Sequence, residues 1–237
     1  MIRALVFDLD DTLFPEREYV LSGFKAVDEW LRTVRSVQGF QEKAVAEFNR
    51  GTRGNIFNLA LLSLGVADDA QLVRQMVEIY RNHEPNINLF TDAGPALDHS
   101  LKTMQVGLLT DGFLNVQQRK VAALGIAGRF HAIVYSDEFG RQAWKPSPIP
   151  YVQITKLLGC SSSECVYIGD NPNKDFVTAR RLNWLTIRVR RPGGEHFAVQ
   201  LDKNLEADAE IKNLLELEQA LDRHKRKLLV NETAITR

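Results

Sequence analysis

The sequence predicts an α/β fold: a doubly wound parallel sheet with a block of helices inserted after its first strand. Three observations predict it. Short apolar runs recur at Ala4–Phe7, Val106–Leu109, Ile133–Tyr135, Val166–Ile168 and Leu185–Val189. Helical patterns lie between most of them. One interval of about 80 residues, after the first run, holds no strand-like segment. Strands that alternate with helices imply parallel pairing, with helices on both faces of the sheet.

Taken in chain order, each short run reads as a strand buried on both faces. In the long interval Val20, Phe24, Val27, Leu31 and Val34 recur at helical spacing. Ala44, Val45 and Phe48 fit a second helix, Ile56–Leu64 a third and Leu72–Tyr80 a fourth. Residues 15–87 are therefore expected to form an inserted helical domain, and residues 1–14 with 88–237 the sheet-bearing core. Beyond the insertion, a helix over Asp92–Met104 follows Thr91, a fitting N-cap. Asn115–Leu124 stops at Gly125 and Pro148–Leu158 at Gly159, where glycine suits a helix C-terminus. Pro172 is expected to open another helix, since proline costs nothing in a first turn. The basic run His224–Lys227 reads as a solvated helix end.

Bulk properties narrow the function classes. The chain has 237 residues, 44% hydrophobic and 25% charged, enough to bury a core without disulfides. Its two cysteines, Cys160 and Cys165, fit no paired-cysteine metal or redox motif. Acidic and basic residues balance at 30 each, which argues against nucleic acid or an anionic membrane as partner. No apolar stretch approaches a membrane span. The expectation is a soluble cytoplasmic protein, monomer or homodimer.

Four segments carry chemistry. Phe7-Asp8-Leu9-Asp10-Asp11-Thr12-Leu13 follows the first strand, so Asp8 leaves it at the sheet edge where ligands sit. Asp10, two residues on, can face the same place. Three such close acids repel unless a cation or ligand offsets them. A calcium loop of the EF-hand kind is excluded, because Leu13 stands where its glycine belongs. Leu108-Leu109-Thr110-Asp111-Gly112 ends another strand, where a hydroxyl and backbone N–H groups can cradle phosphate. In Trp144-Lys145-Pro146 the proline forces Lys145 toward an extended backbone, and its ammonium can neutralise phosphate and carboxylate together. In Val166–Asp175 a strand delivers Gly169, for a tight turn, and Asp170, a hard oxygen ligand suited to Mg²⁺. Asp175 stands in the next helical turn, either as favourable charge or as a second, water-mediated metal contact.

These segments, in this order, resemble the four motifs of the haloacid dehalogenase superfamily. The helical insertion resembles that family's first class of cap domain. The resemblance implies a Rossmann-like core and a phosphatase that forms an aspartyl-phosphate on Asp8. It implies Asp10 as general acid and base, and Mg²⁺ held by Asp8, the Asp10 backbone carbonyl and Asp170. Thr110, the N–H groups near Asp111, and Lys145 would bind phosphoryl oxygens. Thr12, Gly169 and Asp175 would support the site. Family dehalogenases usually lack an aspartate where Asp10 stands, so Asp10 favours phosphoester chemistry. Where relatives often carry asparagine this chain has Asp111, whose side chain is expected to point away from the phosphate.

The implied substrate is a small phosphorylated metabolite, a sugar phosphate or a nucleotide. Arg53 and Asn55 are candidate substrate contacts; the alternative is a helix start capped by Thr52. Arg188, Arg190 and Arg191 meet either an anionic substrate or solvent. Two further readings compete: a phosphotransferase of the mutase kind, and a regulatory phospho-acceptor. Release of inorganic phosphate counts against the first. The insertion and Asp10 count against the second.

Overall fold

The computed structural model describes residues 1–67 and 69–235, with side chains as far as residue 226. Six strands form one sheet among the described residues: β1 (Ala4–Phe7), β2 (Gln105–Thr110), β3 (Ala132–Tyr135), β4 (Cys165–Gly169), β5 (Leu185–Val189) and β6 (Ala209–Ile211). Their order is β3-β2-β1-β4-β5-β6, with every neighbouring pair parallel. All four residues of β1 are buried, because the strand lies in the middle of the sheet with apolar layers on both sides. Leu5 and Phe7 join one layer, with Leu108, Ile168 and Ile187. Ala4 and Val6 join the other, with Leu109, Tyr151, Tyr167 and Trp184. That alternation follows from the two-residue repeat of a strand.

Helices α1 (Glu16–Arg35), α2 (Phe40–Asn49), α3 (Ile56–Ser63) and α4 (Ala70–Asn82) make up the insertion. They enclose a third apolar cluster, around Phe24, Val27, Leu31, Phe40, Leu61 and Met76. The Phe24 ring lies 5.9–6.5 Å from those of Phe40, Phe48, Phe57 and Tyr80. Full burial of such a side chain contributes roughly 1.5–3 kcal/mol, so these helices have a core of their own. The remaining helices, α5 (Ala93–Ser100), α6 (Leu114–Leu124), α7 (Pro148–Leu158), α8 (Phe176–Arg181) and α9 (Leu217–Ile235), flank the sheet.

Some elements differ from expectation. Helix α5 ends at Ser100, not Met104, because the chain tightens there: Lys102 and Thr103 donate to carbonyls three residues back. Its N-cap is Asp92 rather than Thr91. Pro172 opens no helix. The Asn171 side chain accepts from the Asn173 N–H at 3.0 Å, forming a turn, and α8 starts only at Phe176. Strand β6 carried no apolar run to announce it. The basic run at 224–227 sits inside α9, with Lys225 and Arg226 exposed; the Lys227 side chain lies outside the described residues.

Candidate active site

In a sheet of this order the ligand crevice lies where the strand order reverses, beyond the carboxyl ends of the strands. Here that point falls between β1 and β4. The Asp8 N–H donates to the Ile168 carbonyl at 2.8 Å, which prolongs the ladder one residue and fixes Asp8 at the crevice. The Lys145 ammonium is buried against it. It donates to Asp8 Oδ1 at 2.6 Å, Asp175 Oδ1 at 2.8 Å and the Tyr167 hydroxyl at 2.6 Å. An ammonium has three donors, and all are engaged. Burial alone would pull this lysine down, but Asp175 and Asp8 outweigh it and hold it well above the usual range.

Asp8, Asp170 and Asp175 each present an oxygen within 4.8 Å of the others, all three residues being buried. Asp175 is spoken for: its Oδ2 accepts the Asn171 N–H at 3.0 Å. A Cβ on Gly169 would stand 2.4 Å from that Oδ2, so glycine is required to make room for this carboxylate. The Asp170 carboxylate accepts no hydrogen bond from any described residue, though it is only 8% exposed. Burial, then Asp175 and Asp8, push it well above the carboxylate range. Burial also pushes Asp8 up to about 7, against the pull of Lys145. A buried, unpaired carboxylate beside two more is costly unless a cation completes the group, and hard oxygen donors suit a divalent ion.

Asp10 is held from the other side, by α6. Lys120 donates to its Oδ1 at 2.6 Å, and the Gln117 amide to its Oδ2 at 2.9 Å. Gln117 also donates to Thr110 Oγ1 at 2.6 Å, joining the ends of β1 and β2. The Lys120 ammonium lies 4.5 Å from the centre of the Tyr19 ring and is nearly excluded from solvent. Glu16 stands near these groups. Burial, then the charge of Asp10, push its carboxyl up to about 7. Gly112 follows Thr110-Asp111 with φ +129°, a conformation that only glycine adopts without strain. Asp111 turns its carboxylate to Ser136 (2.6 Å), the Lys145 N–H (3.1 Å) and Lys174 (3.3 Å). Burial opposes its charge, but Lys145 and Lys174 hold it below the usual carboxylate range.

Two arginines after β4 brace the site instead of facing it. Arg188 is buried and donates to the Asp170 carbonyl (3.2 Å), the His196 carbonyl (2.7 Å) and both oxygens of Glu206. Arg191 donates to the Thr12 carbonyl at 2.9 Å and to Asp92 at 3.0 Å. The loop of Thr12 is thus held through its backbone; its buried hydroxyl has no partner among the described residues. Asp11, at φ +50°, accepts the N–H groups of Glu16 (2.9 Å) and Glu195 (2.8 Å), joining the start of α1 to the loop after β5.

Asp8, Asp10, Asp111, Lys145 and Asp170 line one cleft of about 440 Å³, together with Tyr19, Tyr80 and Arg81 from the insertion. Arg53 and Asn55 do not line it. Arg53 is stacked on Phe48 and pairs with Glu195 at 2.6 Å, beside an adjoining cleft. Asn55 is exposed at the N-cap of α3, and Thr52 instead donates to Glu47. Glu16, Gln117, Lys120 and Lys174 were absent from the sequence reading. On helix α6 the fold buries Val116, Gln117, Lys120 and Val121 in one stripe, and polar residues on such a stripe need partners.

The family model for haloacid dehalogenase-like hydrolases matches residues 2–183. The chain belongs to that family. It is 31% identical over 202 residues to the glyceraldehyde 3-phosphate phosphatase of Methanopyrus kandleri, covering 81% of this chain and 85% of the relative. It is 23% identical to the phosphoglycolate phosphatase of Aquifex aeolicus, covering 76% and 81%. Among solved structures, a 2-haloacid dehalogenase from Pseudomonas syringae superposes with a TM-score of 0.66 at 24% identity, over 94% of this chain and 99% of that one. A phosphatase of the family from Thermococcus onnurineus gives 0.61 at 21%, over 93% and 98%. These likenesses establish the haloacid dehalogenase fold for this family member. No described helix is long and apolar enough to cross a membrane.

Proposed function

We propose that this hydrolase is a magnesium-dependent phosphatase of small phosphorylated metabolites, acting through an aspartyl-phosphate on Asp8. The observation that carries the reading is Asp10, a second carboxylate on the cleft wall, two residues past Asp8 and fixed by its own cation. Cleaving a carbon–halogen bond needs no proton at the leaving group. Cleaving a phosphoester does, and in this reading Asp10 supplies it. The phosphatase names of relatives over most of their length support the same choice.

In this reading an Asp8 oxygen attacks phosphorus in line while the bond to the leaving oxygen breaks, and Asp10 passes its proton to that oxygen. A water molecule then attacks phosphorus, Asp10 takes its proton, and the phosphorus–Asp8 bond breaks to release phosphate. Asp8, Asp170 and the Asp10 carbonyl would hold Mg²⁺, with Asp175 in support; the ion offsets repulsion between carboxylate and phosphate. Thr110 and the backbone after it would bind phosphoryl oxygens. Lys145 has no donor to spare, so it chiefly orients Asp8, and Lys174 is the better-placed cation for phosphate. Residues 15–87 would serve as the cap that shapes the leaving-group end. The test is phosphate release from a panel of phosphorylated compounds with Mg²⁺, against EDTA and against Asp8→Asn. Release that survives EDTA or the substitution sinks the reading.

A further inference from the structure

Four cations line the cleft: Arg81, Lys120, Lys145 and Lys174. Three are paired with acids, Lys120 with Asp10, Lys145 with Asp8 and Asp175, and Lys174 with Asp111. Arg81 pairs with no acid and makes no hydrogen bond among the described residues. It is nonetheless held in place. Its guanidinium lies 3.9 Å from the centre of the Phe113 ring, stacking the last turn of α4 against the segment that follows Thr110-Asp111-Gly112. The next residue, Asn82, accepts from Asn115 of α6 at 3.1 Å, and the carbonyl before it, of Tyr80, accepts from Tyr19 at 3.3 Å. A basic residue in a last turn suits the helix dipole anywhere. Here the stacked guanidinium lines the site, and its fork of N–H donors has no protein partner among the described residues. A guanidinium so presented matches a carboxylate or phosphate in two parallel hydrogen bonds.

We propose that Arg81 selects substrates whose leaving group carries a second anionic group, so that the class is phosphorylated acids rather than neutral sugar or aldehyde phosphates. This rests on the phosphatase reading above. Arg81 belongs to the insertion and the phosphoryl site to the sheet, so a substrate held by both would bridge the two.

Two compounds of nearly equal shape test it: 3-phosphoglycerate, with a carboxylate, and glyceraldehyde 3-phosphate, with an uncharged aldehyde. The wild-type protein with Mg²⁺ should favour the acid in kcat/KM. In Arg81→Gln the acid-to-aldehyde ratio should fall at least about tenfold, the scale of losing a charged hydrogen-bond pair. Arg81→Lys, which keeps charge without the fork, should restore part of it. p-Nitrophenyl phosphate reports on the phosphoryl chemistry alone. If it is turned over and the ratio does not move in Arg81→Gln, or the wild type prefers the aldehyde, the proposal falls and the phosphatase reading stands. If neither compound nor p-nitrophenyl phosphate releases phosphate, both fall.

Discussion

At the scale of single residues, each of the two cleft aspartates is paired with its own lysine. Lys145 is fully coordinated, with Asp8 as one of three partners, and Lys120 takes Asp10 from the opposite side. In the proposed mechanism Asp8→Asn removes the attacking oxygen without removing volume. We expect turnover to fall about 10³-fold or more, with the far-ultraviolet circular dichroism unchanged. Asp10→Asn removes the proton carrier of that mechanism, and a loss of about 10²–10⁴ in kcat is expected. Phosphorylated protein should then accumulate, visible as an added phosphoryl mass. Lys120→Met tests a positioning role. It leaves Asp10 in place but frees its Oδ1, so we expect kcat to fall about 10–100-fold, less than for Asp10→Asn. KM should move little, because Lys120 engages Asp10 and not the phosphoryl cradle. A KM change as large as the kcat change would make Lys120 a substrate contact.

At the scale of elements, the central strands were legible because burial on both faces leaves an uninterrupted apolar run. Strand β6 was not: it is three residues at the sheet edge, Ala209-Glu210-Ile211, and only Ile211 is buried. The start of α8 was misread because Pro172 serves a turn that carries Asp175 back under Gly169. Residues at strand ends could be found from order and spacing alone. Gln117 and Lys120 could not, since polar residues on a helix usually face water and only the fold shows that this stripe faces Asp10. Arg53 shows the same limit from the other side. Its charge suggested a substrate contact, whereas its partner Glu195 lies 142 positions away in the chain. Both side chains are over a third exposed, and such pairs contribute about 0.2–1 kcal/mol. Glu195→Ala should therefore loosen the insertion only slightly, raising KM no more than about fivefold and leaving kcat in place. A kcat loss beyond tenfold would move Glu195 into the chemistry.

At the scale of the whole molecule, the sheet concentrates acids at one edge and leaves the Asp170 carboxylate without a hydrogen-bond partner among the described residues. The consequence is a link between pH, metal and stability. In the unfolded chain an aspartate loses its proton near 4. In the folded, metal-free protein burial keeps Asp8 protonated up to about 7 and holds Asp170 higher than usual as well. The native state thus binds more protons than the unfolded state between about 4 and about 7. The stability contributed by Asp8 falls as pH rises through that window, and Asp170 acts in the same direction. A divalent ion that binds the ionised carboxylates reverses the penalty, and it does so only where they are ionised. We expect millimolar Mg²⁺ to raise the melting temperature by at least about 3 °C at pH 7.5 and hardly at all at pH 4.5. The with-and-without difference cancels the contribution of every carboxylate the ion does not touch. Asp170→Asn should melt higher than the wild type in EDTA at pH 7.5, since it removes the unpaired charge, and should lose the response to Mg²⁺. An equal Mg²⁺ effect at both pH values, or an Asp170→Asn protein that still responds like the wild type, would show that the ion binds elsewhere.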